Sequence, residues 1–218
     1  MRNRIVIILF ICCNNLIFSQ EETWLAIGFD FGNYIEHNNN ENAYIPHLGF
    51  NISGYEFENK KDIGIFVHHS FLFPVGTNGD YNFQWEFISG PGFRHHFNEN
   101  LKLQFGVGPA LTLLTAKYVQ DSLDYSKFLW GVGVGADVGI KYDVNEYFYL
   151  NAGVTFSYIF AGDMAHYSSA KTSNDQTIRT RITDGWIKGY GLFGIKPYLC
   201  VGFNFYQEKG RWGKPKPQ

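Results

Sequence analysis

The strongest constraint on this 218-residue chain is an alternation of apolar residues with small or polar ones, at a period of two. Between residues 101 and 113 every odd position is apolar, and the even positions are small or polar: Lys102, Gln104, Gly106, Gly108, Ala110 and Thr112. Successive side chains of a β-strand point to opposite faces. The segment is therefore predicted to be a strand with one apolar face and one polar or small face.

The same alternation predicts eight strands. They span residues 23–35, 46–57, 62–73, 82–95, 101–113, 128–142, 146–160 and 187–206. Three connections are short, at 58–61, 96–100 and 143–145, whereas four are longer and more polar, at 36–45, 74–81, 114–127 and 161–186. Short turns at one rim and long loops at the other are typical of outer-membrane barrels, whose short turns are periplasmic. The sequence thus predicts an all-β fold, an eight-stranded antiparallel up-and-down transmembrane β-barrel.

The glycine-rich stretch GVGVGADVGI, residues 131–140, also fits the G-x-G-x-x-G/A pattern of a dinucleotide-binding turn. Such a turn needs a preceding strand and a helix that begins at its last glycine. The residues that follow are β-branched and aromatic and show no helical period. We therefore assign these glycines to the lumen face of a strand, because a narrow barrel has room only for modest side chains.

The first 20 residues have the layout of a secretory signal peptide. Two arginines precede an apolar run over residues 5–13, and a cleavage position follows at Ser19 or Gln20. Lipid attachment at Cys12 or Cys13 is an alternative, but the residues before them are not the small ones expected there.

The predicted organisation is a signal peptide (1–20), an outer-membrane β-barrel (21–206) and a short periplasmic tail (207–218). Cleavage leaves Cys200 as the only cysteine, which excludes an intramolecular disulfide.

Composition supports a chain that exposes one face to lipid. Aromatic residues make up 18% of the sequence and charged residues only 17%, with a net charge of −2, so nothing favours a nucleic-acid partner. After Gln20 no apolar run approaches the roughly 20 residues that a transmembrane helix needs. A water-soluble β-sandwich would also show alternation. It would not explain the regular change between short and long connections.

The signal peptide, the eight alternating strands, the short and long loops and the closing stretch YLCVGFNF (198–205) together resemble the small outer-membrane β-barrels of the OmpA/OmpX type. The resemblance implies location in the outer membrane, contact with its lipid and folding by the barrel-assembly machinery. It also implies a role in adhesion, envelope integrity or passage of small solutes. The sequence points to no cofactor, and neighbouring histidines such as His95 and His96 are expected to be solvated rather than metal-bound.

A cluster of charged residues is predicted to plug the lower lumen. When adjacent strands are aligned outward from their short turns, Arg94 lies nearly opposite Lys102. Two cations repel unless an acid lies between them. Asp137, on the strand beside Lys102, is predicted to supply that charge, while Asp62 flanks Arg94 and Lys141 completes the cluster. Its predicted role is structural.

A catalytic alternative rests on His68, which is predicted to lie nearly opposite Glu86 with Ser70 one step away. A serine, a histidine and a carboxylate are the groups of lipid-modifying barrel hydrolases. However, these side chains are predicted to point into the lumen, whereas a lipid substrate arrives from the bilayer. We therefore predict no catalytic residue and no enzymatic activity.

The preferred interpretation is a plugged barrel with a structural or surface-interaction role. Its extracellular loops, above all 161–186, would meet a host or environmental ligand. A narrow channel for small or apolar solutes and the hydrolase remain the alternatives.

Twelve aromatic residues are predicted to form two interfacial belts, because such rings favour the headgroup level. The periplasmic belt comprises Trp24, Phe57, Phe97, Tyr142, Tyr147 and Phe205, and the outer belt comprises Tyr34, Tyr44, Phe73, Phe83, Phe128 and Phe160.

Overall fold

The computed structural model describes residues 20–38, 41–58, 61–75, 81–120, 123–171, 177–183, 191–208 and 211–213. Ten strands occupy these ranges: β1 (Gln20–Asn38), β2 (Glu41–Glu58), β3 (Ile63–Pro74), β4 (Tyr81–His96), β5 (Leu101–Gln120), β6 (Leu123–Asp143), β7 (Phe148–Lys171), β8 (Thr177–Thr183), β9 (Gly191–Glu208) and β10 (Arg211–Gly213). The predicted signal peptide, apart from Gln20, lies outside the described residues, as do both of its cysteines.

Eight of these strands close into a barrel. Each strand from β1 to β7 pairs antiparallel with the next, and β9 pairs with both β7 and β1. Strand β8 pairs with β7, and β10 folds back on β9. The predicted fold, an eight-stranded antiparallel up-and-down barrel, is therefore confirmed.

Three predicted long loops are wrong in extent, because strands continue through most of them. Strands β1 and β2 extend through most of 36–45, β5 and β6 through most of 114–127, and β7 continues to Lys171. The ladder hydrogen bonds persist where the strands have left the lipid, but there the outward face no longer has to be apolar. Periodicity therefore marks the part of a strand in contact with lipid, not the whole strand.

The last barrel strand differs from its predicted range of 187–206. Its described part, β9, begins at Gly191 and ends at Glu208, and residues 187–190 lie outside the described residues. The preceding TIRTRIT forms the separate strand β8 on the edge of β7. That the tail lies in the periplasm stays a prediction.

The barrel exterior is an apolar band, and the predicted parity holds in β5, β6 and β7. Lipid-facing side chains include Val107, Val134 and Phe156, each more than a third exposed. A bulge in the β6–β7 register near Phe160 reverses the parity of β7 above it, so that Gly162 rather than Ala161 is buried. No helix among the described residues has the length and apolar character to cross a membrane.

The glycine-rich stretch lies within β6, and its glycines face the lumen. A Cβ atom at Gly133 would lie 1.9 Å from the carbonyl oxygen of Tyr158, so only glycine allows this close approach of two strands. Other lumen glycines lie against aromatic rings: a Cβ at Gly202 would lie 2.1 Å from Cζ of Tyr149. The glycines therefore make room for large side chains inside a narrow barrel.

The belt prediction is wrong for Trp24, Phe57 and Tyr34, because all three are fully buried in the lumen. They occupy the inward face of β1 or β2. Glycines of neighbouring strands leave space for two of the rings: a Cβ at Gly194 would lie 2.5 Å from Cε1 of Tyr34, and one at Gly64 would lie 2.8 Å from Cδ1 of Phe57. The remaining nine residues are exposed or partly exposed. Their depth in the bilayer stays a prediction.

Neighbouring positions on β9 give a direct test of the two faces. Cys200 is buried in the lumen and Val201 is 52% exposed. We expect a lipid-soluble maleimide to label Val201→Cys in a Cys200→Ser background and to leave the parent protein unlabelled, as measured by mass spectrometry. Equal labelling of the two proteins would contradict the assigned faces.

Candidate functional site

Within the described part of the chain, charged side chains are buried together in the lumen. The lumen side chains form four groups, which follow one another from the end with the short turns upwards. At the base, the basal cluster contains Trp24, Phe57, Arg94, Lys102, Lys141, Asp143 and Tyr149. Above it lies the central network of Asp30, Asn51, Tyr55, His68, Asp137 and Tyr198. The upper ion pair is Glu86 with Lys196, and the apolar cap comprises Ile45, Leu72, Leu114, Leu129, Ile159 and Leu192.

Trp24 is the centre of the basal cluster. Nζ of Lys141 lies 4.1 Å from its ring centroid, Nζ of Lys102 lies 5.3 Å away, and Cζ of Arg94 lies 5.7 Å away. Cations within about 6 Å of an aromatic face are attracted by its quadrupole, and more strongly where water is excluded. One indole ring thus holds three cations over the mouth of the lumen.

Carboxylates at the rim neutralise these cations. Nζ of Lys102 donates to Asp143 at 2.8 Å, and Lys141 donates to the other oxygen of the same carboxylate. Nε of Arg94 donates to Asp62 at 3.2 Å. Four of the five predicted cluster residues therefore lie at the base of the lumen, together with Asp143.

The predicted pairings need two corrections. Arg94 lies opposite Gln104, and Lys102 lies opposite His96, so the two cations are diagonal neighbours offset by two residues. Asp143, which the predicted boundaries place in a turn, supplies the charge expected from Asp137. Its odd number follows the inward parity of β6, and extending that parity by one rung would have found it.

Asp137 belongs to the central network instead, four residues before Lys141 along β6. Its carboxylate accepts hydrogen bonds from the hydroxyl groups of Tyr55 and Tyr198. Nδ1 of His68 lies 3.9 Å from Asp137, and Nε2 of the same ring lies 3.8 Å from Asp30. The imidazole therefore lies between two buried carboxylates.

Asp30 is held in turn by Asn51, whose amide donates to it at 2.6 Å. This network has the form of a buried polar core. Among the residues that the structure describes, no group of three or more His, Cys, Asp or Glu could hold a metal ion.

The upper ion pair is completely buried. Glu86 forms an ion pair with Lys196 and accepts hydrogen bonds from Ser157 at 2.8 Å and from Tyr34 at 3.3 Å. Cross-strand pairing places Ser70 opposite Glu86, whereas His68 lies opposite Ile88. Ser70 rather than His68 therefore takes the position opposite Glu86, and His68 is offset from it by two residues.

The hydrolase arrangement does not form in this structure. His68 lies between Asp30 and Asp137, and Glu86 is engaged by Lys196, Ser157 and Tyr34. A histidine that activates a serine must reach its hydroxyl, and a carboxylate must orient that histidine. Here the carboxylate of the predicted set holds a lysine instead.

The apolar cap closes the upper lumen. Its six aliphatic side chains come from six strands, and each is at most 6% exposed. Hydrophobic constrictions exclude ions by dewetting. Buried side chains thus lie at both ends of the lumen, with charges around an indole ring at the base and aliphatic side chains at the top.

We expect Asp137→Asn to lower the free energy of unfolding by about 2 kcal/mol, because hydrogen bonds to a charged group contribute about 1.5–3 kcal/mol. Urea titration of the refolded barrel in lipid vesicles measures the change. Asp62→Asn is the control: that carboxylate is 62% exposed, and an exposed ion pair contributes less than about 1 kcal/mol. Equal losses for the two variants would contradict the importance of the central network.

Comparisons with known proteins agree on the fold. No family model matches the chain, and no curated protein matches it. Among solved structures, it is similar to Neisserial surface protein A, with 13% identity, 81% of this chain and 96% of that chain covered, and a TM-score of 0.51.

Two further matches are a major outer-membrane protein of Thermus thermophilus and the outer-membrane protein OprG of Pseudomonas aeruginosa. The first has 8% identity, 82% and 99% coverage and a TM-score of 0.56. The second has 10% identity, 86% and 97% coverage and a TM-score of 0.51. The closed antiparallel barrel, its apolar exterior and its charged interior are those of an outer-membrane β-barrel.

Proposed function

We propose that this barrel is closed to solutes along its axis and acts as a platform that holds extracellular β-hairpins at the cell surface, in a structural or adhesion-type role. The observation that carries the proposal is the filled lumen: charged, aromatic and aliphatic side chains occupy it from the basal cluster to the apolar cap, and all but the partly buried Asp143 are at most 9% exposed. Folding by the barrel-assembly machinery is part of the same proposal.

The strands above the apolar cap support a role at the surface. Strands β5 and β6 stay paired with each other as far as Gln120 and Leu123. The upper part of β7 pairs with β6 on one side and with β8 on the other. Four adjacent strands thus extend one wall of the barrel beyond the lumen. A paired extension is a firmer support for a binding surface than a long irregular loop, because ladder hydrogen bonds hold its backbone.

Two measurements test the closed platform. Planar-bilayer recordings of the reconstituted protein should show no steady ion conductance above that of the protein-free bilayer. Attachment of cells to polystyrene and to epithelial monolayers should fall when residues 117–126 are replaced by an Asn-Gly turn, which shortens the β5–β6 hairpin while keeping its pairing.

The control shortens nothing at the surface: Asn98→Ala changes a short turn at the opposite rim, where the Asn98 side chain accepts from the backbone N–H groups of Asn100 and Leu101. It should leave attachment unchanged at equal surface density. A steady conductance, or attachment that does not depend on the hairpin, would overturn the proposal.

We also propose that the protein is not an enzyme. The hydrolase alternative predicts release of fatty acid from phospholipid vesicles that is lost in Ser70→Ala. We expect no release from either protein. Release by the parent protein alone would establish the hydrolase.

A further inference from the structure

The ladder between β4 and β5 is interrupted in the middle of the apolar band. Its pairing is continuous to the Ile88–Ala110 rung and resumes at the Gly92–Gly106 rung. Residues 89–91 of β4 therefore have no ladder pairing with β5, although the same residues stay paired with β3. We call this interruption the β4–β5 seam.

Two prolines cause the interruption. Constant register across the seam places Pro91 opposite Val107 and Pro109 opposite Ser89, and both prolines are exposed on the lipid face. Because proline has no N–H group, the ladder loses the donors at both positions. In hydrocarbon no water can donate the missing hydrogen bonds, so the pairing of β4 with β5 is weaker at the seam than elsewhere along these strands.

The wall is also thin at the seam. Its inward positions are glycines, and a Cβ at Gly90 would lie 2.1 Å from the carbonyl oxygen of Val107. Aromatic rings lie directly behind: a Cβ at Gly106 would lie 2.4 Å from Cδ1 of Phe66, and one at Gly92 would lie 3.0 Å from Cδ1 of Tyr55. No inward side chain of β4 or β5 lies between those rings and the backbone of the wall.

Behind the seam the aromatic rings form a continuous series. The ring centroids of Phe66 and Tyr55 are 5.7 Å apart, those of Tyr55 and Phe57 are 5.8 Å apart, and those of Phe57 and Trp24 are 4.9 Å apart. This series offers apolar, ring-shaped contacts. An ion cannot approach them from this side, because it would have to cross hydrocarbon.

We infer that the β4–β5 seam admits a small apolar molecule, best an aromatic one, from the bilayer into the aromatic part of the lumen, where it displaces the ring of Phe66. The axial path stays closed, because neither the basal cluster nor the apolar cap has to move. The inference concerns a lateral route, so it does not depend on the proposed surface role.

A second proline position provides a comparison within the same barrel. Pro197 interrupts the β1–β9 ladder between the Asp30–Tyr198 and Asn33–Ile195 rungs. There the inward neighbour is Lys196, which is held by Glu86 in the upper ion pair. A buried ion pair directly behind the ladder is a less favourable neighbour for an apolar molecule than the rings of Phe66 and Tyr55, so this position should not admit the same molecule.

Trp24 reports on the lateral route. In a variant that keeps only this tryptophan, with the other four replaced by phenylalanine, iodobenzene dissolved in phosphatidylcholine vesicles should quench its fluorescence. Aqueous iodide should not, since Trp24 is fully buried. Restoring the donors with Pro91→Val and Pro109→Val should reduce the iodobenzene quenching severalfold.

The matched control is Pro197→Val, which restores a donor at the other interruption and should leave the quenching unchanged. Phe66→Ala should increase it. Equal quenching with and without Pro91 and Pro109, an equal reduction by Pro197→Val, or quenching by iodide would each overturn the inference. If the double variant does not refold, the two single variants are compared in the same way. Absence of ion conductance distinguishes this result from a failure of the closed-lumen proposal.

Discussion

Replacing Lys196 with methionine is expected to lower the free energy of unfolding by about 3–5 kcal/mol, because it leaves the buried carboxylate of Glu86 without its cation. Both side chains are fully buried, so water cannot stabilise the remaining charge. The tyrosine and serine hydroxyls that donate to Glu86 compensate only part of the loss. Urea titration of the refolded barrel in vesicles measures the change.

The double variant Glu86→Gln with Lys196→Met is the matched comparison. Glutamine removes the charge and keeps an acceptor for Tyr34 and Ser157. A neutral replacement of a buried ion pair is often close to neutral in stability. Most of the loss should therefore be recovered. If the single and double variants are equally destabilised, lost packing rather than an unpaired charge is the cause, and the upper ion pair does not have the role given to it.

Replacing Trp24 with alanine should have the second large effect, on two observables at once. Removing a buried tryptophan costs about 3–5 kcal/mol through lost contacts and the cavity that remains. It also removes the ring shared by Arg94, Lys102 and Lys141, so these cations should separate and admit water at the base. We expect lower stability in urea and greater access of water-soluble maleimide to Cys200.

Trp130→Ala is the control of the same residue type. Trp130 faces lipid and is 48% exposed, so its loss removes bilayer contacts without opening the lumen. It should leave the labelling of Cys200 unchanged. If Trp24→Ala also leaves that labelling unchanged, the basal cluster does not seal the lumen, and closure rests on the residues above it.

The exterior of this barrel is predictable because lipid imposes a single requirement on every outward position. Alternating residues such as those around Val107 and Val134 therefore indicate the correct fold and faces. The interior follows no comparable rule. A lumen position can be glycine, tryptophan or lysine, provided that the side chains across from it complement its volume and charge.

That difference explains the errors. The preference of large rings for headgroups predicts Trp24 and Tyr34 at the interfaces, yet both are buried in the lumen. Tyr34 fills the space left by Gly194, and Trp24 packs against Phe57.

Alternation alone places Asp137 in the lumen on the strand beside Lys102, but it does not give the distance between them along the strands; Asp137 lies opposite Gly106. The exact register of the two strands decides which cation a carboxylate reaches, and the length of the turns does not determine the register to within one residue.

The fit of rings against lumen glycines has a consequence for how such a barrel changes in evolution. Tyr149 fills the space that a side chain at Gly202 would need, and Tyr34 does the same at Gly194. A larger residue at either glycine is tolerated only if the opposing ring shrinks in the same lineage. Related sequences should therefore conserve the summed volume of each pair rather than the identity of either residue. Such compensated pairs would reveal the register of neighbouring strands, because Tyr149 lies opposite Gly202 in the β7–β9 ladder and Tyr34 lies opposite Gly194 in the β1–β9 ladder.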